Sequence, residues 1–336
     1  MVVAVRTSIL GLLVAGAGCV EVPDASPTLK PDPTGTTTTT TPTGTVTETT
    51  TGTTDTGTGY DCSTPLSDGP FTLIPYDVQT EEDFDFDGDG YVVYQDGTAL
   101  VGRTQSGDQR IYAAGVSGDP AGVQVLYSGD IAVAAQDSGT IERVNPQTGN
   151  TTTIISGLIQ ANGIEVGAGD RLYFTEFTTN GSVRWYDPAS GIGEFINGDL
   201  SFPNGLALSP DEQVLYVGGP SIMAFDRIDV DEWDPVPRVL YNGNDDFDGV
   251  EVDICGNIYT IEFTTGHLFR VAPDGSEATL LAVLDDPQAG WNAWNSLRWG
   301  NDAGGWDSTV LYITNRSNLW AIDLGVPGRP HPSMGP

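Results

Sequence analysis

An all-β chain folded as a six-bladed β-propeller of four-stranded blades is predicted by three observations. A unit recurs about every forty residues, most plainly in ANGIEVGAGDRLYFTEFTTNGSVRWYDPASG from Ala161 and FDGVEVDICGNIYTIEFTTGHLFRVAPDGS from Phe247. Inside each unit apolar and polar residues alternate with period two, β-branched and aromatic residues are frequent, and Gly or Asp turns separate the runs. No stretch carries the 3.6-residue periodicity of an amphipathic helix.

The elements can be taken in chain order. Residues 1–19, MVVAVRTSILGLLVAGAGC, combine an early Arg6, an apolar run from Ile9 and small residues before Cys19, the layout of an export signal. The A-G-A-G-C ending makes Cys19 a candidate for lipidation, with plain secretion as the alternative. Residues 20–60 are dominated from Ser26 by Thr, Gly, Pro and Asp. That composition offers too little apolar surface to offset the entropy of ordering, so it predicts a disordered, Thr-rich tether. Residues 61–336 form the predicted propeller.

Within it, the repeat lays Glu82, Ala121, Asn162, Asn204, Asp248 and Asn295 on one another at the start of six successive innermost strands. Four strands at this period make one propeller blade. The sixth unit holds three strands before the Gly-Pro-rich tail, while FTLIPYD at 71–77 precedes the first unit without a blade of its own. That segment is expected to supply the outer strand of blade six, removing exposed sheet edges. DFDGDG at 85–90 imitates a helix-loop-helix calcium loop, but its flanks alternate as strands, so an acidic hairpin turn is expected there.

Composition narrows the function. A net charge of -33 excludes nucleic acid and anionic lipid surfaces as partners, leaving a lipid anchor as the only expected membrane attachment. With Cys19 set aside, Cys62 and Cys255 remain; in an oxidising compartment they form either one disulfide or leave Cys255 as a buried thiol.

Innermost strands run beside the central channel, so Glu82, Asn162, Asn204 and Asp248 should meet at one mouth. Two carboxylates and two amide oxygens are hard donors suited to Ca2+. The glycines that follow, Gly163, Gly205 and Gly249, let backbones approach closely there. Ala121 offers no donor, whereas Asn295 could touch either metal or substrate. Phe202, Phe247, Trp291 and Trp294 are candidates to wall an apolar pocket or to pack between blades. Glu176 and Glu262 end second strands on this face and are expected to play a supporting part.

At these residues the chain resembles the calcium-dependent six-bladed propellers of the regucalcin, gluconolactonase and paraoxonase type. F-P-N-G-L-A-L-S-P-D-E-Q-V-L-Y-V at 202–217, F-D-G-V-E-V-D at 247–253 and E-D-F-D-F at 82–86 carry the resemblance. It implies that Glu82, Asn162, Asn204 and Asp248 are calcium ligands, with Asp83 as a possible supporting carboxylate, and that Asp248 also serves as general base toward water. The histidine pair of paraoxonases has no counterpart, since His267 and His331 should not reach the metal. The implied activity is hydrolysis of a small-molecule lactone or ester by an exported protein of the cell envelope, or a secreted one, acting as a monomer. A non-catalytic, calcium-stabilised propeller that binds a partner or glycan is the alternative, because one propeller fold serves many functions.

Overall fold

The computed structural model describes residues 59–285 and 293–334. The expected export signal with Cys19, the tether as far as residue 58, and Trp291 lie outside the described residues.

Alternating sequence becomes six antiparallel sheets. Their innermost strands are Phe84–Phe86, Pro120–Val125, Ala161–Gly167, Leu206–Leu208, Phe247–Val252 and Leu297–Trp299, one for each repeat unit. Each blade then steps outward through hairpins. The outermost strand of blade six is Leu73–Tyr76, which pairs antiparallel with Leu319–Asp323 in the register Leu73 to Ile322.

Blade four departs from the simple plan. Its third strand, Ser221–Asp229, is long enough to pair with two short partners, Glu232–Trp233 and Arg238–Asn242. Pro235 and Pro237 fall between them; proline cannot donate to a ladder, so the outer strand is interrupted there.

Among the described residues the core is divided into six apolar clusters, one at each blade interface. Leu100, Val123 and Ile131 join blades one and two, and Ile141, Ile164 and Leu172 join two and three. Tyr173, Leu206 and Phe225 lie between three and four; Ala207, Phe247 and Ile258 between four and five. Tyr259, Trp294 and Leu311 fill the fifth interface, and Phe84, Phe86, Trp306 and Tyr312 the sixth. Both faces of every central strand are therefore covered, which explains near-continuous apolar runs such as IAVAA at Ile131–Ala135. Cys62 and Cys255 form a disulfide across 193 residues.

Three of the six inner strands are bulged. Register shifts fall between Pro120 and Gly122, Ala161 and Ile164, and Phe247 and Val250. A bulge inserts one residue and re-aims the side chains beyond it, so the second and fifth positions of these strands, such as Asn162 and Glu165, can both address the channel.

Candidate metal site at the channel mouth

The site begins with backbone packing. A Cβ on Gly163 would stand 2.6 Å from the Asn204 carbonyl oxygen, one on Gly205 2.4 Å from that of Asp248, and one on Gly249 2.9 Å from that of Asn295. Each glycine thus lies against the carbonyl of the donor-type residue in the next blade, and only a residue without Cβ allows the strands to converge this closely. Hydrogen bonds lock the convergence. Gly205 N donates to Asp248 O at 2.8 Å, and the buried Thr175 hydroxyl donates to Asn204 O at 2.8 Å while accepting from Gly163 N at 3.0 Å.

Glu82, Asn162, Asn204 and Asp248 all line one cavity of about 20 Å³ at this mouth, together with Ala121 and Asn295. That is room for about one water-sized particle. Asn162, Asn204 and Asp248 are buried. Burial pushes the Asp248 carboxyl well above the usual aspartate range and repulsion from Asp83 adds to it, while hydrogen bonds from Asn295 and Asn204 oppose the rise. Asn295, from blade six, donates its Nδ2 to Glu82 at 3.1 Å and to Asp248 at 3.4 Å. Its Oδ1 is buried without a partner. Arg316 pairs with the other oxygen of Glu82.

Among the described residues no group of three or more His, Cys, Asp and Glu side chains gathers as a metal site. The mouth instead combines two acids with carboxamides, a set that fits a hard divalent cation such as calcium. A cation-sized cavity and a buried, unpartnered carboxamide oxygen beside it agree with that fit.

Asp83 also lines the cavity, yet its carboxylate is spent on protein. It accepts from Phe84 N at 2.8 Å, Val123 N at 2.9 Å and the Ser296 hydroxyl, and it faces Arg298 at 3.5 Å. It ties blades one, two and six together beneath the mouth. Burial raises its carboxyl, with Arg298 and these hydrogen bonds opposing.

A second charged layer follows three residues further along the inner strands: Asp85, Gln124, Glu165, Glu251 and Arg298. Arg298 donates to Glu251 at 2.8 Å. Burial alone would lower its guanidinium, but Asp83, Glu251, Asp85 and Glu165 outweigh that and hold it above the ordinary arginine value. The C-terminal segment closes the layer from below. Gly328 packs closely against Trp299, Arg329 pairs with Glu165 and with Glu212 at 2.9 Å, and His331 Nε2 stands 2.6 Å from Asp85.

His267 lies 2.9 Å from Glu262 in blade five, away from the mouth. Glu262 and Glu176 are buried staples: they accept from Asn244 N at 2.8 Å and Ile159 N at 2.7 Å, holding the loops that enter their blades. Phe247 and Trp294 are core residues. Phe202 is half-buried, packed against Phe177 with ring centroids 5.2 Å apart and the rings tilted by 53°. In the DFDGDG stretch only Asp87 organises the turn, accepting from Asp89 N at 3.0 Å and Tyr91 N at 2.8 Å; Asp85 points into the channel, so no calcium loop forms.

The class defined by fold and site is thus a six-bladed propeller whose inner strands bring two acids and carboxamides to one cation-sized cavity. Residues 176–284 match the family model for the SMP-30/Gluconolactonase/LRE-like region, a span that includes Asn204 and Asp248. A curated gluconolactonase of Zymomonas mobilis is 26% identical over 192 residues, or 46% of this chain. The match spans about half of that relative, 51% of its length. Among solved structures, a gluconolactonase from Xanthomonas campestris aligns with TM-score 0.63 at 21% identity, covering 77% of this chain and 91% of its own. The calcium-binding protein regucalcin from Agrobacterium tumefaciens aligns with TM-score 0.60 at 16% identity, covering 77% and 93%. These structures share the fold of this chain.

Proposed function

We propose that the chain is an exported, calcium-dependent hydrolase of a small lactone or ester. The observation that carries this reading is the convergence of Glu82, Asn162, Asn204 and Asp248 on one cation-sized cavity; the gluconolactonase match over the blades carrying Asn204 and Asp248 supports it. Calcium held by these four residues would act as a Lewis acid, polarising the carbonyl and stabilising the oxyanion that develops on it.

The remaining steps belong to the protein. Asn295 engages one oxygen of Asp248, and the Asp248 carboxylate orients water. That carboxylate takes a proton from the water as its oxygen bonds to the carbonyl carbon. The ring C–O bond then breaks and the departing alkoxide recovers the proton, yielding a hydroxy acid. Asp83 and Arg298 do not touch substrate; they hold the strands beneath the mouth in place. The apolar N-terminal segment and Cys19 support export with a lipid anchor in the cell envelope, or free secretion. Residues 20–60 act as a tether for a monomeric propeller.

The test is hydrolysis of a panel of small lactones and aryl esters with and without chelator. Chelator should abolish turnover, and Asp248→Asn should lower it about a hundredfold or more. Turnover indifferent to Asp248→Asn overturns the mechanism. The cavity admits an ion and little else, which favours a second reading: a non-catalytic propeller stiffened by calcium and binding a partner or glycan. A melting temperature that falls with chelator, with every panel member left intact, selects that reading.

A further inference from the structure

Arg316 pairs with Glu82, a residue lining the cavity, and is held there by a strained turn. Its φ is 66°, a left-handed conformation that residues other than glycine seldom adopt and that persists only where the surroundings impose it. Here they do. Asn315 Oδ1 accepts from Asn318 N at 2.9 Å, Arg316 N donates to Thr314 Oγ1 at 3.2 Å, and Thr314 is fastened to Thr80 of the neighbouring blade by a hydroxyl pair. The direction in which the side chain leaves the backbone is therefore fixed, toward Glu82.

The guanidinium pairs with Glu82 while 40% of the Arg316 side chain stays exposed. Glu82 is one of the four proposed cation donors, so Arg316 is bound where a cation would compete for the same carboxylate. Its surroundings are otherwise acidic: Glu81 acts on Arg316 and Asp246 on Asp248. The arginine that lines the cavity itself, Arg298, is 6% exposed and engaged with Glu251 and Asp83. A cavity of about 20 Å³ has no room for an organic substrate, so substrate must lie above it, within reach of Arg316. A planar guanidinium with several donors is suited to a carboxylate partner.

We infer that Arg316 is a specificity residue for lactones that bear a carboxylate beside the ring: it neutralises Glu82 until a cation arrives, then turns to hold the substrate's carboxylate at the mouth. This rests on the lactone reading of the same cavity. It predicts a preference for anionic substrates in a protein of net charge -33, the opposite of what that charge would favour.

The experiment compares wild type, Arg316→Ala and Arg316→Lys. Calcium affinity is read by calorimetry, and KM is measured for 5-oxotetrahydrofuran-2-carboxylate and the uncharged γ-valerolactone. Arg316→Ala should bind calcium several-fold more tightly, since a competitor for Glu82 is gone. The ratio of the two KM values should shift against the carboxylate lactone by roughly tenfold or more, with Arg316→Lys recovering part of it. An unchanged ratio or unchanged calcium affinity overturns the inference. If wild type hydrolyses neither compound, the hydrolase reading fails for this pair. Calorimetric titration of the calcium-loaded protein with each lactone then supplies Kd in place of KM, and the same ratio decides the role of Arg316.

Discussion

His331 Nε2 lies 2.6 Å from Asp85 Oδ1, so an imidazole from the C-terminal tail meets a carboxylate of the first blade inside the channel. Asp85 is fully buried. Burial alone would raise its carboxyl, but the charge and hydrogen bond of His331, with Arg298 behind, pull it below the ordinary value. The tail thus seals the far end of the channel by supplying counter-charge to buried acids.

Removing that imidazole should destabilise the propeller. His331→Ala leaves Asp85 with Gln124 Nε2 at 2.9 Å and Val125 N at 2.6 Å, and should cost about 1–3 kcal/mol in denaturant unfolding. Because the folded carboxyl is depressed, the stabilisation is present above the unfolded aspartate pKa and is lost as pH falls through the lower folded value. The gap between wild type and variant should therefore begin to close only below about pH 4 and vanish at still lower pH, past the depressed folded value. A difference that persists undiminished in acid would refute the assignment.

Glu165 should give the opposite pH dependence. Burial pushes its carboxyl up to about 7 from 4.5, against the pull of Arg329. Below pH 4.5 both folded and unfolded states hold the proton. Between there and about 7 the folded state keeps a proton that the unfolded state releases, so stability falls as pH rises. Glu165→Gln should flatten that decline in urea titrations between pH 5 and 7. Equal slopes for the two proteins would show that Glu165 ionises normally.

The Cys62–Cys255 disulfide joins the segment before blade six's outer strand to the first hairpin turn of blade five. It closes a loop of 193 residues, and a native disulfide of this kind typically contributes about 2–4 kcal/mol. The Cys62→Ser/Cys255→Ser double variant should melt well below wild type without loss of calcium binding. Equal melting temperatures would mean that the ring holds its ends together unaided.

Much of this was legible in the repeat. Aligning the units finds Glu82, Asn162, Asn204 and Asp248 because inner strands begin at equivalent heights, and one cavity at the mouth receives all four. The same alignment, read three residues further, passes through Asp85, Gln124, Glu165, Ala207, Glu251 and Arg298. That charged layer is invisible to strict period-two reading, which turns the fourth position of a strand away from the first. Bulges such as the one between Ala161 and Ile164 reverse that expectation. Arg329 and His331 were beyond reach for another reason. The Gly-Pro-rich tail has no periodicity, and its place in the channel depends on Gly328 packing against Trp299, a long-range contact with no local signal. The split outer strand of blade four has a local signal in Pro235 and Pro237, but that both halves pair with one long strand, Ser221–Asp229, does not follow from it.

Gly205 offers the most direct test of how the fold makes the site. Its Cα occupies the place where blade four meets the Asp248 carbonyl of blade five, and an added methyl would lie 2.4 Å from that oxygen. Gly205 has no positive φ among the glycines that do, so alanine is strained there through contact rather than through backbone conformation. The neighbour is backbone and cannot rotate aside; blades four and five must separate instead. The 2.8 Å hydrogen bond from Gly205 N to Asp248 O would lengthen, and Asn204 and Asp248 would move apart with it. Gly205→Ala should therefore weaken calcium binding by roughly tenfold or more, the equivalent of about 1.4 kcal/mol, while circular dichroism still reports a folded β-protein. Gly97→Ala supplies the comparison, since that glycine has nothing within 4 Å; its φ of 60° predicts some loss of stability but no change in calcium affinity. Equal calcium affinities in Gly205→Ala and Gly97→Ala would mean that the close approach of the strands does not set the geometry of the mouth.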